Sequence, residues 1–287
     1  MPPIPKISSQ STLPATALIT GGASGIGLAI AHKCRAKGMR VGIVDRNTKL
    51  LARAKDDLAS GAPEDVLTFD VDVTNTEDWE KLKGDVERAW GQLGFLFLNA
   101  GIGGKGDWGD REYFQRILNT NLFGVVNGLN TFVPFLKAQS GYRSSIVITG
   151  SKQGITNPPG NPAYNASKAA VKSLAEHLSY DLKDTDIGVH LLVPGWTFTG
   201  LSGNVPGSEE KKPDGAWSPE QVADYCFQKM NDGKFYIICP DNDVTPELDK
   251  KRMMWTAGDA VYERQPLTRW RKEYAEESKK WMEENSF

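Results

Sequence analysis

The chain has 287 residues, 39% of them hydrophobic and 24% charged, as is usual for a soluble globular protein with one sizeable core. Its net charge of -2 argues against nucleic acid as a partner, and there is no polybasic patch for an anionic membrane. The three cysteines lack metal-ligand spacing, and neither a secretory signal nor a long apolar stretch occurs. The sequence therefore predicts a cytoplasmic protein, and we assign no metal.

From residue 15 onward, short apolar runs alternate with longer segments of helical period. The predicted strands are Ala15–Thr20, Arg40–Asp45, Val66–Asp70, Phe95–Asn99, Ser145–Thr149, Val189–Val193 and Phe235–Cys239. The predicted helices lie at about 25–37, 49–60, 76–90, 110–137, 162–183 and 218–231. This alternation predicts an α/β fold, a Rossmann-type doubly wound parallel sheet of about seven strands in a single catalytic domain over residues 15–240.

Three stretches lie outside the alternation. Residues 1–14 predict a flexible tail, and the polar segment 202–215 predicts a mobile loop. Residues 241–287 predict a helical extension of the same domain, with helices that open near Thr245-Pro246 and near Gln265-Pro266. Its aromatic residues predict a stripe that packs on the domain or on a second subunit, with a lid over the active site as the alternative. The stripe comprises Trp255, Tyr262, Trp270, Tyr274 and Trp281.

A glycine-rich turn, Thr20-Gly-Gly-Ala-Ser-Gly-Ile-Gly27, follows the first strand and opens the first helix. Glycines allow the backbone to approach a pyrophosphate, and the N–H groups at the start of the helix meet its charge. Asp45 ends the second strand, where a carboxylate can accept hydrogen bonds from ribose hydroxyls. The turn therefore predicts a dinucleotide site, with contacts expected from Gly21, Ser24, Gly25, Ile26 and Gly27.

The TGxxxGxG spacing of this turn resembles the cofactor loop of the classical short-chain dehydrogenase/reductase family, and further motifs match that family in the same order. Asp72-Val73 matches the segment that contacts the adenine, and Asn99-Ala100-Gly101 matches the motif beside the cofactor. Pro194-Gly195, with Thr197 and Thr199 after it, matches the segment that holds the nicotinamide end. The resemblance covers about residues 15–240 and implies a nicotinamide-dependent oxidoreductase.

The choice between the two nicotinamide cofactors depends on charge near the adenosine ribose. Asp45 would repel a 2′-phosphate, and Ser24 stands where a basic residue before Gly25 would bind one. Arg46 could pair with that phosphate and partly offset the repulsion. These residues favour NAD(H), with NADP(H) as the alternative.

Tyr164 and Lys168 are four residues apart on a predicted helix, so both project from one face. An ammonium stabilises a nearby phenolate, so we expect Lys168 to lower the pKa of Tyr164. The family resemblance extends to Ser151 and Asn121. It implies that Tyr164 exchanges a proton with the substrate oxygen and that Ser151 hydrogen-bonds that oxygen. It also implies that Lys168 binds the nicotinamide ribose, and that Asn121 holds a water that connects Lys168 to solvent.

The substrate wall is expected from loops at the carboxyl ends of the strands, and its candidates are Gly103, Trp108, Lys152, Gln153 and Trp196. The glycine-rich segment 102–109 either adapts to a ligand or forms a disordered turn. We expect a small-molecule alcohol or carbonyl substrate, and nothing in the sequence identifies it further. The resemblance also implies a homodimer or homotetramer.

Three other functions stay open. The same scaffold could carry a redox-neutral enzyme, such as a dehydratase or an epimerase. A dinucleotide-sensing protein would bind the cofactor without turnover, although the loss of the Tyr164/Lys168 pair expected of it has not occurred. An interaction protein that recruits a partner through the aromatic extension is the third.

Overall fold

A sheet of seven parallel strands forms the centre of the computed structural model, which describes residues 15–59, 62–139, 141–202 and 211–287. The strands are β1 Thr16–Thr20, β2 Arg40–Asp45, β3 Val66–Asp70, β4 Phe95–Leu98, β5 Ser144–Thr149, β6 Ile187–Val193 and β7 Tyr236–Ile238. The helices are α1 Gly25–Ala36, α2 Thr48–Leu58, α3 Thr76–Trp90, α4 Arg111–Leu118, α5 Gly124–Ala138, α6 Gln153–Thr156, α7 Pro162–Asp181, α8 Pro219–Asn231, α9 Pro246–Val261 and α10 Ala275–Glu284. The predicted tail 1–14 and most of the predicted loop 202–215 lie outside the described residues.

The strand order is β3-β2-β1-β4-β5-β6-β7, and every neighbouring pair is parallel. The chain first builds the sheet outward from β1 to β3, then returns beside β1 at β4 and builds outward on the other side. In open α/β sheets, ligands bind in the crevice at the carboxyl ends of the strands where the order reverses in this way. The predicted doubly wound fold is confirmed, and its crevice lies between β1 and β4.

Helices cover both faces of the sheet because its strands are apolar on both faces. β1 and β5 are buried along their whole length. Side chains of α1, α2 and α8 share a core with one face of the sheet. Those of α3, α5 and α7 share a second core with the other face. Both cores support the crevice from below, so its loops start from rigid strand ends.

The segment predicted as one helix over 110–137 consists of two α-helices joined by a π-helical stretch, Asn119–Phe123. A π-helical turn accommodates an extra residue in the helix, and such turns are common at functional sites. Asn121, the candidate catalytic asparagine, lies inside this stretch. Its side-chain amide bonds the N–H and the carbonyl of Ile102, which ties the π-helical stretch to the loop after β4.

The second helix of the extension was expected near Gln265-Pro266, and this prediction is wrong. Leu267 has a left-handed φ of 60°, and two short 3₁₀ turns precede the start of α10 at Ala275. The N–H and the hydroxyl of Thr268 donate to the two carboxylate oxygens of Asp259, at 3.1 and 2.5 Å. These bonds tie the turn back to α9.

Two of the five aromatic residues of the extension form its inner contact. Trp255 is buried and packs edge-on against Trp281, with ring centroids 5.6 Å apart. Tyr262, directly after α9, is exposed and does not pack on its own domain, and whether it packs on a second subunit stays a prediction. The extension meets the rest of the domain where α9 contacts α6.

Candidate active site

The glycine-rich turn between β1 and α1 has no room for side chains at the positions that face the crevice. Gly21 has a φ of +61°, and a Cβ there would lie 3.0 Å from the Cα of Ala100. A Cβ at Gly27 would lie 2.1 Å from the carbonyl oxygen of Gly21. The turn therefore folds tightly on itself and against the Asn99-Ala100-Gly101 segment, which leaves its backbone open to a ligand at the helix start.

Asn99 joins the carboxyl ends of three neighbouring strands. The hydroxyl of Thr20 accepts hydrogen bonds from the N–H groups of Asn99 and Ala100, at 2.9 and 3.1 Å. The Asn99 side-chain amide donates to the Thr20 carbonyl at 3.2 Å, and its oxygen accepts from the Thr149 hydroxyl at 3.2 Å. The predicted Asn-Ala-Gly motif thus connects β1, β4 and β5 beneath the crevice.

A cavity of about 110 Å³ lies where an adenosine would bind beside the glycine turn. It is lined by Gly21, Val44, Asp45, Arg46, Val71, Asp72, Val73, Ala100, Gly101, Ile102 and Thr120. One oxygen of Asp45 accepts from the Asn47 N–H at 3.0 Å, and one oxygen of Asp72 accepts from Thr74. Within the described part of the chain, the other oxygen of each carboxylate accepts no hydrogen bond, so both can receive donors from a ligand.

A second cavity, of about 440 Å³, lies at the start of α1 and includes Ser24, Gly25 and Thr199. A Cβ at Gly25 would lie 3.3 Å from Cγ2 of Thr199, so the segment after β6 closes directly over the glycine turn. Arg53, from α2, also lines this cavity and was not identified from the sequence. It belongs to no motif, and only the packing of α2 against α1 brings its charge to this place.

Tyr164 and Lys168 lie together at the start of α7, facing the loops after β4 and β5. Lys168 is buried at 4% exposure, its Nζ donates to the Thr149 carbonyl at 2.8 Å, and it lies 5.8 Å from the ring centre of Tyr164. A Cβ at Gly101 would lie 3.4 Å from Asn121 Oδ1 and 3.7 Å from Lys168 Nζ. Asn121 and Lys168 therefore lie directly against the segment that carries the cofactor motif.

Burial has the largest effect on the pKa values of Tyr164 and Lys168. Burial raises the pKa of Tyr164, and the hydrogen bond with Ser151 only partly lowers it. Burial also lowers the pKa of Lys168 to about 8. The expectation that Lys168 lowers the pKa of Tyr164 is not met in the chain alone, because desolvation of the phenolate outweighs the hydrogen bond and the ammonium is directed at the Thr149 carbonyl.

Residues 15–210 match the model of the short chain dehydrogenase family. The chain belongs to this family. A 3-dehydrosphinganine reductase of Arabidopsis thaliana, TSC10B, is 32% identical to it over 77% of this chain and 68% of the reductase. An NADP-dependent (R)-specific alcohol dehydrogenase of Lentilactobacillus kefiri is 32% identical over 75% of this chain and 89% of that protein.

Solved structures of the family agree with the fold. A short chain dehydrogenase/reductase from Burkholderia phymatum, in complex with NAD, has a TM-score of 0.78 and 29% identity and covers 88% of this chain and 96% of its own. This short-chain dehydrogenase is therefore an oxidoreductase that acts on CH–OH or C=O groups with NAD(P). No helix in the described ranges is long and apolar enough to cross a membrane, and no metal-binding cluster occurs among the described side chains.

The substrate candidates of this dehydrogenase lie in different environments. The Gln153 N–H donates to the Ser151 hydroxyl oxygen at 3.2 Å, so Gln153 touches the catalytic group. Trp108 is 83% exposed and packs on Phe114. A Cβ at Gly103 would lie 3.8 Å from Leu201, so loops from opposite sides of the crevice meet there.

Trp196 and Lys152 are both bonded to residues beyond β7. The Trp196 side chain is exposed, and the backbone N–H of Trp196 donates to Asp241 at 3.1 Å. The ammonium of Lys152 forms ion pairs with Asp241 and Asp249. Whether either side chain also touches a substrate stays a prediction.

The glycine-rich segment 102–109 packs against α4. The sequence predicted that it either adapts to a ligand or forms a disordered turn, and neither interpretation included this packing. A Cβ at Gly106 would lie 2.3 Å from the Tyr113 ring, and one at Gly104 would lie 3.2 Å from Arg116. The Tyr113 hydroxyl also bonds Asn161 and accepts from the Ala163 N–H at 3.3 Å, which anchors the start of α7. Tyr113 is thus a supporting residue of the site that no local sequence signal marks.

Gly154 is a further residue that sequence reasoning missed. A Cβ there would lie 2.5 Å from the backbone carbon of Lys168. This close approach seats α6, and with it the loop of Ser151, directly on the helix that carries Tyr164 and Lys168. Its only sequence signal is a glycine three residues after the candidate serine.

Proposed function

We propose that this short-chain dehydrogenase transfers a hydride between nicotinamide and a secondary alcohol or ketone, with Tyr164 as the general acid and base. The nicotinamide cofactor, when bound, supplies the hydride chemistry. The observation that carries the proposal is the buried Lys168, whose ammonium lies 5.8 Å from the Tyr164 ring centre at the carboxyl ends of β4 and β5. The fit of the glycine turn to a pyrophosphate supports it.

The raised pKa of Tyr164 means that its phenol carries a proton at neutral pH in the chain alone. A protonated phenol can donate to a carbonyl oxygen as that oxygen gains negative charge. Ser151 would donate a second hydrogen bond to the same oxygen and stabilise the developing charge. In the oxidation direction the proton moves from the alcohol to Tyr164, and the ammonium of Lys168 stabilises the phenolate that accepts it.

The side chain of Asn121 is fully engaged in holding the loop after β4. Its oxygen accepts from the Ile102 N–H at 2.8 Å, and its nitrogen donates to the Ile102 carbonyl at 3.0 Å. We therefore assign Asn121 a supporting role, since it fixes the π-helical turn and the wall of the site beside Lys168. A proton relay through water near Asn121 stays a prediction.

The decisive experiment is Tyr164→Phe, which removes the acid–base hydroxyl and keeps the ring. We expect kcat to fall by about 10²–10⁴, the usual contribution of general acid–base catalysis, while the affinity for the nicotinamide cofactor changes little. Tyr180→Phe is the matched control, because Tyr180 lies on the same helix and is 68% exposed. A Tyr164→Phe enzyme with wild-type kcat would overturn the assignment.

For the cofactor we propose a preference for NAD(H), supported by the free carboxylate oxygen of Asp45 in the adenosine cavity. Arg46 is exposed in the same cavity, and Arg53 lies at the start of α1. Asp45→Ser should raise kcat/KM with NADP(H) relative to NAD(H) by about tenfold or more, since it removes the repulsion of a 2′-phosphate. The ratio of the two kcat/KM values measures this, and a wild-type preference for NADP(H) would show that the arginines outweigh Asp45.

A further inference from the structure

Lys152 directly follows Ser151, and its ammonium pairs with two carboxylates of residues beyond β7. Nζ lies 2.6 Å from Oδ2 of Asp249, in α9, and 3.4 Å from Oδ2 of Asp241. The side chains of Lys152, Asp241 and Asp249 are 16%, 6% and 5% exposed. Removing the ammonium would leave two buried carboxylates that repel each other, and removing either carboxylate would free the ammonium from one of its two anchors, so the geometry of the group depends on all three.

Asp241 connects this group to the segment after β6. The same carboxylate oxygen that pairs with Lys152 accepts the Trp196 N–H at 3.1 Å. A Cβ at Gly195 would lie 2.6 Å from that oxygen and 3.0 Å from Lys152 Nζ, so the ion pair occupies the space that a side chain would need. The backbone N–H of Lys152 also donates to the Pro194 carbonyl, at 3.4 Å.

Arg252 is another cation near Asp249. It lies three residues further along α9, and like Lys152 its charge lowers the pKa of Asp249, while burial raises it. The direct ion pair of Asp249 is nonetheless with Lys152. Because Asp249 is anchored by a helix and Lys152 by the turn that begins α6, the pair fixes one element against the other.

We propose that Lys152, Asp241 and Asp249 are positioning residues that hold the Ser151 loop and segment 194–196 in register for hydride transfer. The C-terminal extension is then a component of the active site, and neither a lid nor a free interaction arm is needed to explain it. Lys152 acts through Ser151 rather than on the substrate. The kinetic consequences of this proposal rest on the proposed function, whereas its structural consequences do not.

The kinetic test compares Lys152→Met, Asp249→Asn and the double variant. Small displacements of reacting groups lower the rate of the chemical step, so each single variant should lose about tenfold in kcat with KM for substrate nearly unchanged. Both changes break the same contact between Lys152 and Asp249. The double variant should therefore also lose about tenfold in kcat and not about a hundredfold. Lys152→Arg keeps the charge and should restore kcat to within about threefold of wild type.

Lys251→Met is the matched control. Lys251 pairs with Glu247 at 3.3 Å on the same helix and is as little exposed as Lys152, but it contacts neither catalytic loop. Its kcat should equal that of the wild type. A Lys152→Met enzyme with unchanged kcat, or losses that multiply in the double variant, would overturn the proposal.

Hydrogen–deuterium exchange of the intact chain without substrate separates this proposal from the proposed function. The amides of residues 151–156 and 194–197 should exchange faster in Lys152→Met and in Asp249→Asn than in the wild type or in Lys251→Met. If the wild type oxidises no alcohol and reduces no ketone, the proposed function fails and the exchange result still decides the network. Unchanged exchange together with unchanged kcat in the variants would reject the positioning role of Lys152, Asp241 and Asp249 and would leave the proposed function standing.

Discussion

Lys168 at the catalytic edge and Asp259 in the C-terminal extension are both buried charged residues, but only Asp259 has a partner of opposite charge. Among the described residues no carboxylate forms an ion pair with Lys168, whose Nζ donates to a backbone carbonyl. Asp259 pairs with Arg264 at 3.1 Å and accepts both the N–H and the hydroxyl of Thr268. The Trp255 indole completes this second group by donating to Thr268 at 2.8 Å.

The difference shows what each region is built for. A buried ammonium without an anion destabilises the folded chain but keeps a proton available near neutral pH, as acid–base chemistry requires. A closed group in which the carboxylate, the hydroxyl and the indole bond one another stabilises the fold. Around Lys168 the requirements of acid–base chemistry therefore outweigh stability, whereas the polar contacts of Asp259 serve stability.

Gly27→Ala and Gly258→Ala compare how well the two regions tolerate an added Cβ. We expect them to give the largest difference in the free energy of unfolding. A Cβ at Gly27 would lie 2.1 Å from a backbone oxygen of Gly21, whereas one at Gly258 would meet the tip of the Arg264 side chain at 2.9 Å. The backbone of the cofactor turn cannot move away from this Cβ without changing the shape of the turn. Gly27→Ala should therefore lower the free energy of unfolding by at least about 3 kcal/mol. Gly258→Ala should change it by less than about 1 kcal/mol, since helix propensity favours alanine.

Denaturant unfolding of both variants, with cofactor titration of the folded protein, checks this pair. Gly27→Ala should also weaken cofactor binding, and Gly258→Ala should leave it unchanged. Equal losses of stability in the two variants would show that backbone at the cofactor turn is no less able to give way to an added Cβ than the Arg264 side chain is in the extension.

The same distinction explains which parts of the molecule the sequence predicts. The strands, the glycine turn and the Tyr164/Lys168 spacing follow from local patterns, because periodicity and close backbone approach restrict residue types within one short segment. The partners of Lys152 lie 89 and 97 residues away, and no local pattern connects them. The direction of the Tyr164 pKa shift escaped prediction for a similar reason, since it depends on burial by distant parts of the chain.

Lys168→Met tests the unpaired charge of the catalytic edge. Burial lowers the pKa of Lys168 from 10.5 to about 8, so between these values the unfolded chain binds a proton that the folded chain has released. Wild-type stability should therefore rise with pH across this window, and below pH 8 the folded chain carries the buried ammonium at a cost of up to about 3 kcal/mol. The Met variant, which we expect to be inactive, should be more stable than the wild type by a similar amount at pH 7.

Urea unfolding of both proteins at pH 7 and at pH 10 measures the effect. The advantage of the Met variant should shrink as the pH rises towards 10.5, where unfolded lysine also loses its proton. A Met variant less stable than the wild type at pH 7 would mean that the fold compensates the ammonium, and the contrast with the extension would disappear.

Thr268→Val tests the closed group of the extension, with a smaller expected effect and the opposite sign. Valine keeps the shape of the buried threonine but removes the hydroxyl that donates to Asp259 and accepts from Trp255. The Trp255 indole then lacks an acceptor and Asp259 loses one of its hydrogen bonds while it keeps Arg264, so the free energy of unfolding should fall by about 2 kcal/mol. Thr256→Val is the control on α9, because its hydroxyl bonds only the Arg252 carbonyl of its own helix and the loss should stay below about 0.5 kcal/mol. If both valine variants unfold at the same denaturant concentration as the wild type, the buried polar group is not what stabilises the extension, and the packing of Trp255 on Trp281 must do so alone.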